Sequence, residues 1–517
     1  MLIIVSIRTH RNFWIFLAAI TLIRVFYGSW LGLGDDEAYY WEWGRHLALS
    51  YFDHPPLTSW IGRLTCEIFG NTEFGFRFGA MASSTIFLII LYTLSLMVFT
   101  NRSIAFTTVV FVSAIPLFAI GGFMMVPDAF LALFWLLAIF FFWKIVKNTK
   151  AADWYFLGAI FGFGLLSKYN MVVLPLCVLM FLLISKEHRF WLKRKEPWLA
   201  CCIGILIFTP VLYWNWSRGF PSFAFHLIDR NAGRSWSWRP FQLYLSGQLG
   251  YLSPLVFIGS LVAMGVGLYQ GIKHKKLEML FLSSMSIPYV FFFSLACSIS
   301  PTTKPHWPAM GYIASFLIMT KLFHEYKTKN TVRHKKTITG YGYTAFGLSL
   351  LFTVLLHAQA LYPFAQSLMP AVRMIAPDAK IKPKEDVTGE LYGWPKAAEE
   401  ISRQVDLLRE QTDKPVFLFA PRYNIASQVA FYTNEHYQVI SISGSPEQFD
   451  LWGRGSLEGK EGHHGLFIAD NRFNHDPARH YHFERIEKVP ALTVTRAGFP
   501  ARTFYLYRCF NYQGRKQ

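Results

Sequence analysis

Long apolar runs separated by short polar loops dominate the first 363 residues of the chain. A helix that crosses the hydrocarbon core of a membrane needs about 20 predominantly apolar residues. Eleven runs approach this length, and the fifth and sixth are short and adjacent. The pattern predicts a polytopic α-helical membrane protein with about eleven spans, at residues 13–33, 75–99, 104–122, 128–147, 154–168, 170–186, 198–214, 248–270, 278–298, 307–322 and 339–362.

The pattern changes after residue 363, where short apolar stretches alternate with turns and one amphipathic helix. Strands are predicted at Val416–Ala420, Val439–Ile442, Gly465–Ala469 and Thr503–Tyr507. Helices are predicted over Ile425–Tyr432 and Glu399–Glu410. We therefore divide the chain into a transmembrane domain, 1–363, and a C-terminal α/β domain, 364–517.

Composition agrees with a membrane protein. The chain is 53% hydrophobic, 18% aromatic and only 16% charged, which excludes a disordered chain and disfavours an ordinary soluble enzyme. Its net charge of +18 comes almost entirely from residues 1–363, which hold 30 Lys and Arg against 14 Asp and Glu. The charge therefore follows the apolar part of the chain, and no nucleic-acid partner is expected. The six cysteines are too few for a disulfide framework.

The loop charges predict the orientation in the membrane. With eleven spans, twenty cations fall in loops on one side and eight on the other. Because positively charged loops stay in the cytoplasm, the N-terminus is predicted inside and the C-terminal domain outside. The segment Met1–Arg11 lacks a small-residue cleavage site after its apolar run, so we interpret the first span as an uncleaved anchor.

Three consecutive acids follow the first span, in Gly34-Asp35-Asp36-Glu37. Carboxylates at a membrane exit suit a general base that takes a proton from a hydroxyl, or a metal site. Acids are also favoured at helix N-termini, so a simple helix start explains them as well. The aromatic residues that follow, 39–43, suggest a helix in the membrane interface.

Other polar groups in the predicted outer loops form a second set of candidates. Asp53 and His54 precede a proline pair that fixes the backbone. Asp128 begins a span, where it is either a helix cap or a cavity residue. Basic groups on the outer side either extend towards the interface or bind an anion such as a lipid phosphate; these groups are Lys168, Arg230, Lys304 and His306.

In this order and sidedness the motifs resemble the bacterial GT-C glycosyltransferases, both the protein mannosyltransferase-like proteins and the lipid A aminoarabinose transferases. The resemblance rests on DDEAYYW, YFDHPPL, PDA, LLSKYN and KPHWPA, and on RYNIASQVAFY in the tail. It implies an inverting transferase that moves a sugar from a polyprenyl monophosphate to an acceptor on the outer face. The chain has His54 and Tyr39 where aminoarabinose transferases often have Lys and Arg, so the resemblance leaves the sugar unassigned.

The resemblance also implies roles for the candidates. Asp36 matches the general base, with Glu37 and Asp53 beside it as catalytic residues. Asp35, His54, Asp128, Lys168, Arg230, Lys304 and His306 are implied to bind substrate. No cofactor or metal is expected to be required, although a divalent ion is not excluded by the motifs. The expected partners are a polyprenyl-phosphate-linked sugar, membrane lipids, and an acceptor that is lipid A, lipopolysaccharide or a protein, in a bacterial inner membrane.

Several alternatives stay open from the sequence. A protein O-glycosyltransferase and a transporter or flippase for lipid-linked glycans both fit the composition. Transporters often show two related halves, and no internal repeat is present here. A ligase that uses a diphosphate-linked donor suits arginine-rich outer loops equally well, and a non-catalytic scaffold is disfavoured by the ordered set of acids and bases.

Overall fold

A computed structural model describes residues 9–228, 238–300, 302, 304–328, 335–375, 378, 381, 385–386 and 388–516. The chain divides into two compact units. The first comprises 1–27, 54–58 and 78–355, and the second comprises 28–53, 59–77 and 356–517. The second unit therefore contains most of the first loop together with the C-terminal sheet. The sequence-based division at residue 363 stays a prediction.

Helices account for the apolar half of the chain. In chain order they are α1 (Arg11–Trp30), α2 (Asp35–Arg45), α3 (Leu57–Phe69), α4 (Glu73–Phe99), α5 (Arg102–Ser113), α6 (Pro116–Ile120), α7 (Pro127–Asn148), α8 (Ala152–Ser167), α9 (Leu174–Ile184), α10 (Glu196–Trp216), α11 (Pro221–Leu227), α12 (Arg239–Leu252), α13 (Pro254–Lys273), α14 (Leu277–Ile299), α15 (Ala309–Thr328), α16 (Lys335–Leu361) and α17 (Phe364–Ile375).

Seven of these helices are long and apolar enough to cross a membrane: α1, α4, α7, α10, α13, α14 and α16. Shorter apolar helices occupy Arg102–Ser113, Ala152–Ser167 and Tyr169–Ile184. The polytopic helical fold is thus confirmed, whereas the count of eleven spans stays a prediction.

Two predicted spans are divided in the structure, and proline is the reason in both. Ile115 has an extended backbone before Pro116, so the helix of span 104–122 stops and restarts. Ser253 has a φ of 72° before Pro254, which separates α12 from α13 inside the predicted span 248–270. A proline lacks the N–H that would continue the preceding helix.

The two helices of the first loop differ in exposure. In α2 every residue from Glu37 to Gly44 is buried, and the helix packs against a helix of the C-terminal domain. Its aromatic side chains therefore contact protein, in contrast to the predicted interfacial placement. In α3, Leu64, Ile68 and Phe69 are exposed, as expected for a helix at a membrane surface.

The C-terminal part of the second unit is a mixed six-stranded sheet with helices. It contains α18 (Trp394–Glu410), β1 (Val416–Ala420), α19 (Tyr423–Tyr432), β2 (Val439–Ser441), α20 (Gln448–Leu451), β3 (His464–Asp470), β4 (Tyr481–Lys488), β5 (Leu492–Arg496) and β6 (Phe499–Arg515). The strand order is β2-β1-β3-β6-β4, and β5 also pairs with β6. β1 is parallel to both β2 and β3, whereas β6 is antiparallel to β3, β4 and β5.

This sheet confirms the predicted α/β domain. The predicted strands and helices all coincide with observed elements, and α17, α20, β4 and β5 are additional. β4 was missed because its burial does not alternate regularly, with exposed and half-buried residues along most of its length. A strand that shows no clear period of two gives no signal in the sequence.

Candidate active site

Asp35 lies at the start of α2 and is held by the C-terminal domain. It is 7% exposed. The Arg472 guanidinium donates to both carboxylate oxygens, at 2.7 and 3.3 Å, and the amide of Asn424 donates to Oδ2 at 2.9 Å. The Gln428 amide lies 3.4 Å from Oδ1. With these donors around it, Asp35 is a fixed anion that anchors α2 to α19 and to the loop after β3.

Glu37 is fully buried and forms an ion pair with Arg77, which is also fully buried. Arg77 donates from Nε to Oε1 at 2.8 Å and from Nη2 to Oε2 at 2.5 Å. The same guanidinium donates to the carbonyl oxygens of Leu31 and Gly32, at 2.5 and 2.8 Å. Glu37 also accepts the Gly34 backbone N–H at 2.9 Å. This network fixes the chain on both sides of the acidic motif.

Asp36 is the exposed member of the three acids. The Tyr423 hydroxyl donates to its Oδ1 at 3.1 Å. The negative charge of Asp36, followed by burial, raises the pKa of Tyr423 well above its usual value, so this phenol stays protonated and remains a donor. Asp36 is thus a solvent-exposed carboxylate that accepts a hydrogen bond from a phenol, and an accessible carboxylate suits a general base.

Asp53 belongs to the same unit and is also hydrogen-bonded to an aromatic hydroxyl. Tyr39 donates to Asp53 Oδ2 at 3.1 Å and accepts the backbone N–H of Gln448 at 2.8 Å. Burial and then the charge of Asp53 raise the pKa of Tyr39 well above its usual value. The rings of Tyr39 and Tyr423 are 4.2 Å apart between centroids. Asp36 and Asp53 are therefore linked through a pair of contacting tyrosines.

Two further acids of the second unit have raised pKa values. Burial, together with the charges of Asp35 and Asp36, raises the pKa of Glu390 to about 8. Glu390 lies 3.9 Å from Arg472. Burial also raises the pKa of Glu447 to about 7. Perturbed carboxyls of this kind are typical of functional sites and also of buried networks.

The first unit contains a separate polar cluster, made by Asp128, Lys168 and His306. Asp128 lies in the first turn of α7, and Lys168 follows the last residue of α8 with an extended backbone. The Lys168 ammonium is 2.6 Å from Asp128 Oδ2, and His306 Nε2 is 3.7 Å from the same oxygen. Lys168 is therefore buried and paired with Asp128, which disfavours the alternative that its side chain extends towards the interface.

The remaining predicted residues are placed as follows. The ring centroids of His54 and His226 are 6.1 Å apart in the first unit. Lys304 is exposed, and its carbonyl accepts a hydrogen bond from the Cys297 thiol. Arg230 lies outside the residues that the structure describes.

The residues that hold the acidic motif were not among the candidates predicted from the sequence. They are Arg77, Tyr423, Asn424, Gln428 and Arg472. Tyr423 and Asn424 lie within the tail motif on which the family resemblance partly rests. That motif was the signal in the sequence that could have identified them. Arg472 is 437 residues from Asp35, and no spacing rule connects such positions.

No group of three or more His, Cys, Asp or Glu side chains among the described residues has the arrangement of a metal site. The acids of the motif are instead satisfied by Arg, Asn, Gln and Tyr donors. That no metal is required stays a prediction.

Comparison with known proteins finds similarity in both sequence and fold. The profile of the dolichyl-phosphate-mannose-protein mannosyltransferase family matches residues 53–214. Over its full length the chain is similar in structure to ArnT from Cupriavidus metallidurans in the apo state, with a TM-score of 0.59 and 16% identity over 97% of this chain and 98% of that one. The chain therefore resembles this mannosyltransferase family over residues 53–214 and shares the fold of ArnT.

The chain is also similar in sequence to bacterial glycosyltransferases. It is 25% identical over 54% of its length to the undecaprenyl phosphate-alpha-4-amino-4-deoxy-L-arabinose arabinosyl transferase 2 of Proteus mirabilis, and the match spans about half of that relative, 51%. It is 23% identical over 65% of its length to the lipid A galacturonosyltransferase RgtD of Rhizobium johnstonii, of which the match covers 68%. The same fold is seen in ArnT bound to undecaprenyl phosphate, with a TM-score of 0.57. The chain is a multi-pass membrane protein.

Proposed function

We propose that this protein transfers a sugar from a polyprenyl-phosphate donor to a hydroxyl of lipid A or of the lipopolysaccharide core, on the outer face of the bacterial inner membrane. The names of the relatives support both the donor class and the acceptor class. The single observation that carries the proposal is the environment of Asp36. It is the exposed acid of a motif whose two other carboxylates are held by arginine.

In this proposal Asp36 is the general base. The acceptor oxygen attacks the anomeric carbon of the donor, and its proton passes to an Asp36 carboxylate oxygen as the new bond forms. The bond between that carbon and the phosphate oxygen breaks, and the lipid phosphate leaves with the electron pair. Attack opposite the leaving group inverts the anomeric configuration.

The other site residues receive supporting roles. Glu37 positions the motif through Arg77, and Asp35 positions it through Arg472. Asp53 orients the acceptor or the sugar through its contact with Tyr39. We assign Asp128, Lys168 and His306, with Arg230, Lys304 and His54, to the polar end of the donor, where cations stabilise the departing phosphate.

The test combines envelope chemistry with one matched pair of variants. Mass spectrometry of lipid A and core from cells with and without the gene should reveal one missing sugar mass. Asp36→Asn should lower the transfer rate by about 10²- to 10⁴-fold, the usual contribution of a positioned base. Asp406→Asn, which alters an exposed acid of α18, is the control and should transfer at the normal rate.

Three outcomes would contradict parts of the proposal. Normal transfer by Asp36→Asn removes the assigned base. A sugar lost from envelope proteins and retained on lipid A favours a protein acceptor, as the matched mannosyltransferase family suggests. Accumulation of the sugar donor on the cytoplasmic face alone favours a flippase.

A further inference from the structure

The short helix α17 exposes an apolar face that the transfer mechanism does not use. Side chains three and four positions apart are neighbours on a helix. One side of α17 therefore carries only apolar residues, which are Phe364, Leu368, Ala371, Val372 and Ile375. Leu368 is 55% exposed, Val372 41% and Ile375 91%. A contiguous exposed apolar face marks an interaction site.

The polar side of α17 is the side that contacts the protein. The Gln366 amide donates to the Asp386 carboxylate at 2.5 Å, and its oxygen accepts the Gln359 amide at 2.9 Å. Asp386 in turn pairs with the buried Arg496 of β5 at 3.3 Å. In a helix at a water-exposed surface the apolar side packs on the protein and the polar side faces water. The reversed arrangement here points to an apolar medium outside the protein.

α17 begins directly after a helix that is long and apolar enough to cross a membrane. α16 ends two residues before α17 starts. The Phe364 N–H donates to the Tyr362 carbonyl at 2.7 Å, a tight turn that ends the direction of α16. Gln359, in the last turn of α16, accepts the Ala365 N–H at 3.0 Å. The first turn of α17 is thereby fixed to the end of the span, where the lipid headgroups begin.

The length of α17 decides which surface covers its apolar face. Its twelve residues extend about 18 Å, whereas a hydrocarbon core is about 30 Å thick, so the helix is too short to cross. A stable dimer buries about 800 Å² per partner, more than one side of so short a helix provides. A short helix with one apolar and one polar side instead suits the plane of the membrane interface. Arg373, which is exposed on the polar side, has the length to reach lipid phosphates from there.

We propose that α17 is an interfacial helix that binds the surface of the phospholipid bilayer on the side of the C-terminal domain. Leu368, Val372 and Ile375 insert among the upper parts of the acyl chains. Because the polar side of α17 is bonded to Asp386, and Asp386 to Arg496, the helix attaches the C-terminal sheet to the membrane. This lipid contact is independent of the proposed sugar transfer.

The accessibility of spin labels tests the proposal in the full chain. The six native cysteines are replaced by alanine, and one nitroxide at a time is attached in nanodiscs of phosphatidylethanolamine and phosphatidylglycerol. The apolar sites are Leu368→Cys, Val372→Cys and Ile375→Cys, and the matched polar site is Arg373→Cys. Oxygen concentrates in lipid, whereas a charged nickel complex stays in water. The ratio of oxygen to nickel collision rates should be at least about threefold higher at the apolar sites than at the polar site.

Two reference sites calibrate these ratios. Leu206→Cys, at a 69% exposed position of α10, is the lipid standard, and Glu410→Cys, at an exposed position of α18, is the water standard. The three apolar sites should resemble the lipid standard. Ratios equal to the water standard would overturn the proposal. Low collision rates with both reagents would also overturn it, since they show that protein, such as a second copy of the chain, covers the face.

A second measurement uses the chain with its native cysteines, so it does not depend on their replacement. A phospholipid with a photoreactive diazirine in its acyl chain is added to the nanodiscs, and crosslinked peptides are identified by mass spectrometry. Peptides from 364–375 should carry the lipid. Leu368→Glu with Ile375→Glu should reduce this labelling at least about fivefold, because the apolar face then carries two charges. Lys396→Glu, at an exposed position of α18, changes the net charge equally and should leave it unchanged. Absence of lipid from this segment in the unaltered chain would contradict the proposal.

Discussion

Asp35, Asp36 and Glu37 are adjacent in the chain, and the structure gives each a different environment. Asp35 and Glu37 are each paired with a largely buried arginine, Arg472 and Arg77. A buried charge that loses its partner is strongly destabilising, so the main role of these two acids is to stabilise the fold. Asp36 is exposed to solvent and accepts a hydrogen bond from the Tyr423 phenol. The difference in burial, and not in residue type, singles out Asp36 as the acid of the motif that is exposed to solvent.

At this scale we predict the role of Tyr423. Tyr423→Phe removes the hydroxyl that orients Asp36 and leaves the ring against Tyr39. We expect kcat to fall about tenfold, about 1.4 kcal/mol of barrier. The acidic limb of the pH–rate profile should also move to higher pH, because a carboxylate that has lost a donor is protonated more easily.

The matched control is Tyr437→Phe, whose ring lies beneath Arg409 and away from the acidic motif in the chain. It should leave both the rate and the pH profile unchanged. A slower Tyr423→Phe enzyme with an unmoved acidic limb would indicate a purely structural contribution. In the Asp36→Asn background Tyr423→Phe should have little further effect, since the two groups act as a unit.

A second residue-scale prediction concerns Glu447, whose pKa is raised from 4.5 to about 7 by burial. Below pH 4.5 the folded and unfolded chains both hold this proton. Between pH 4.5 and 7 only the folded chain holds it, so stability falls as the pH rises, by up to about 3 kcal/mol. Glu447→Gln removes this titration. Its thermal midpoint should exceed that of the wild type at pH 8, and the gap should close near pH 4.5.

The control for that experiment is Glu410→Gln, at an exposed position of α18. It should show no such pH-dependent gap. A Glu447→Gln variant that is less stable than the wild type at pH 8 would mean that the ionised carboxylate is stabilised by its surroundings. The Ser441 and Ser443 side chains are candidates for that, since their hydrogen bonds lower the pKa of Glu447.

The positions of the candidate residues could be predicted from the sequence, whereas the residues that contact them could not. The acidic motif, Asp53 and Asp128 are visible because each follows a recognisable boundary of an apolar run. Arg77 was not singled out because an arginine near the start of a span resembles any interfacial cation. The pairing of Asp35 with Arg472 depends on tertiary structure that brings together positions 437 residues apart.

At the scale of elements, burial decides what α2 does. Its aromatic residues suggested a helix at the membrane interface, yet they pack against α19. Trp41 and Phe431, for example, make an edge contact at 5.0 Å between ring centroids. An aromatic-rich helix has the same sequence pattern whether lipid or protein covers it, so the surface that covers α2 could not be predicted from the sequence. The proline breaks at Pro116 and Pro254 were predictable from the residue type, although the apolar runs continue through them.

The element-scale prediction is that the Glu37–Arg77 pair fixes the start of α2. Arg77→Met leaves the Glu37 carboxylate buried without its partner, so we expect a loss of about 3–5 kcal/mol in the free energy of unfolding. Glu37→Gln combined with Arg77→Met should recover a large part of that loss, because no charge then stays buried. Denaturation of the four proteins of this cycle in detergent measures the coupling.

The control pair is Arg403→Met and Glu400→Gln on α18, whose side chains are joined by an exposed i, i+3 ion pair. Exposed pairs contribute about 0–1 kcal/mol, so this cycle should show little coupling. A Glu37–Arg77 coupling as small as that of the control would contradict the anchoring role.

At the scale of the whole molecule, charge and fold carry complementary information. The net charge of +18 is concentrated in residues 1–363, and in the predicted topology most of these cations lie in cytoplasmic loops. The outer loops then hold the acids of the candidate site. The helical fold and the C-terminal sheet could be predicted from the periodicity of apolar residues. The grouping of the first loop with that sheet in one compact unit could not, because it depends on contacts between segments that are distant in the sequence.

The orientation is the prediction that connects these levels, and cysteine labelling tests it. All six native cysteines are first replaced by alanine, and single cysteines are introduced at exposed positions as Glu410→Cys and Lys193→Cys. A membrane-impermeant maleimide added to cells with a permeabilised outer membrane should label Glu410→Cys, because the C-terminal domain is predicted outside. Lys193→Cys should be labelled only after the inner membrane is broken. Labelling of both sites before lysis would indicate leaky cells. Labelling of Lys193→Cys alone before lysis would place the acidic motif in the cytoplasm, where the proposed transfer to an outer-face acceptor is impossible.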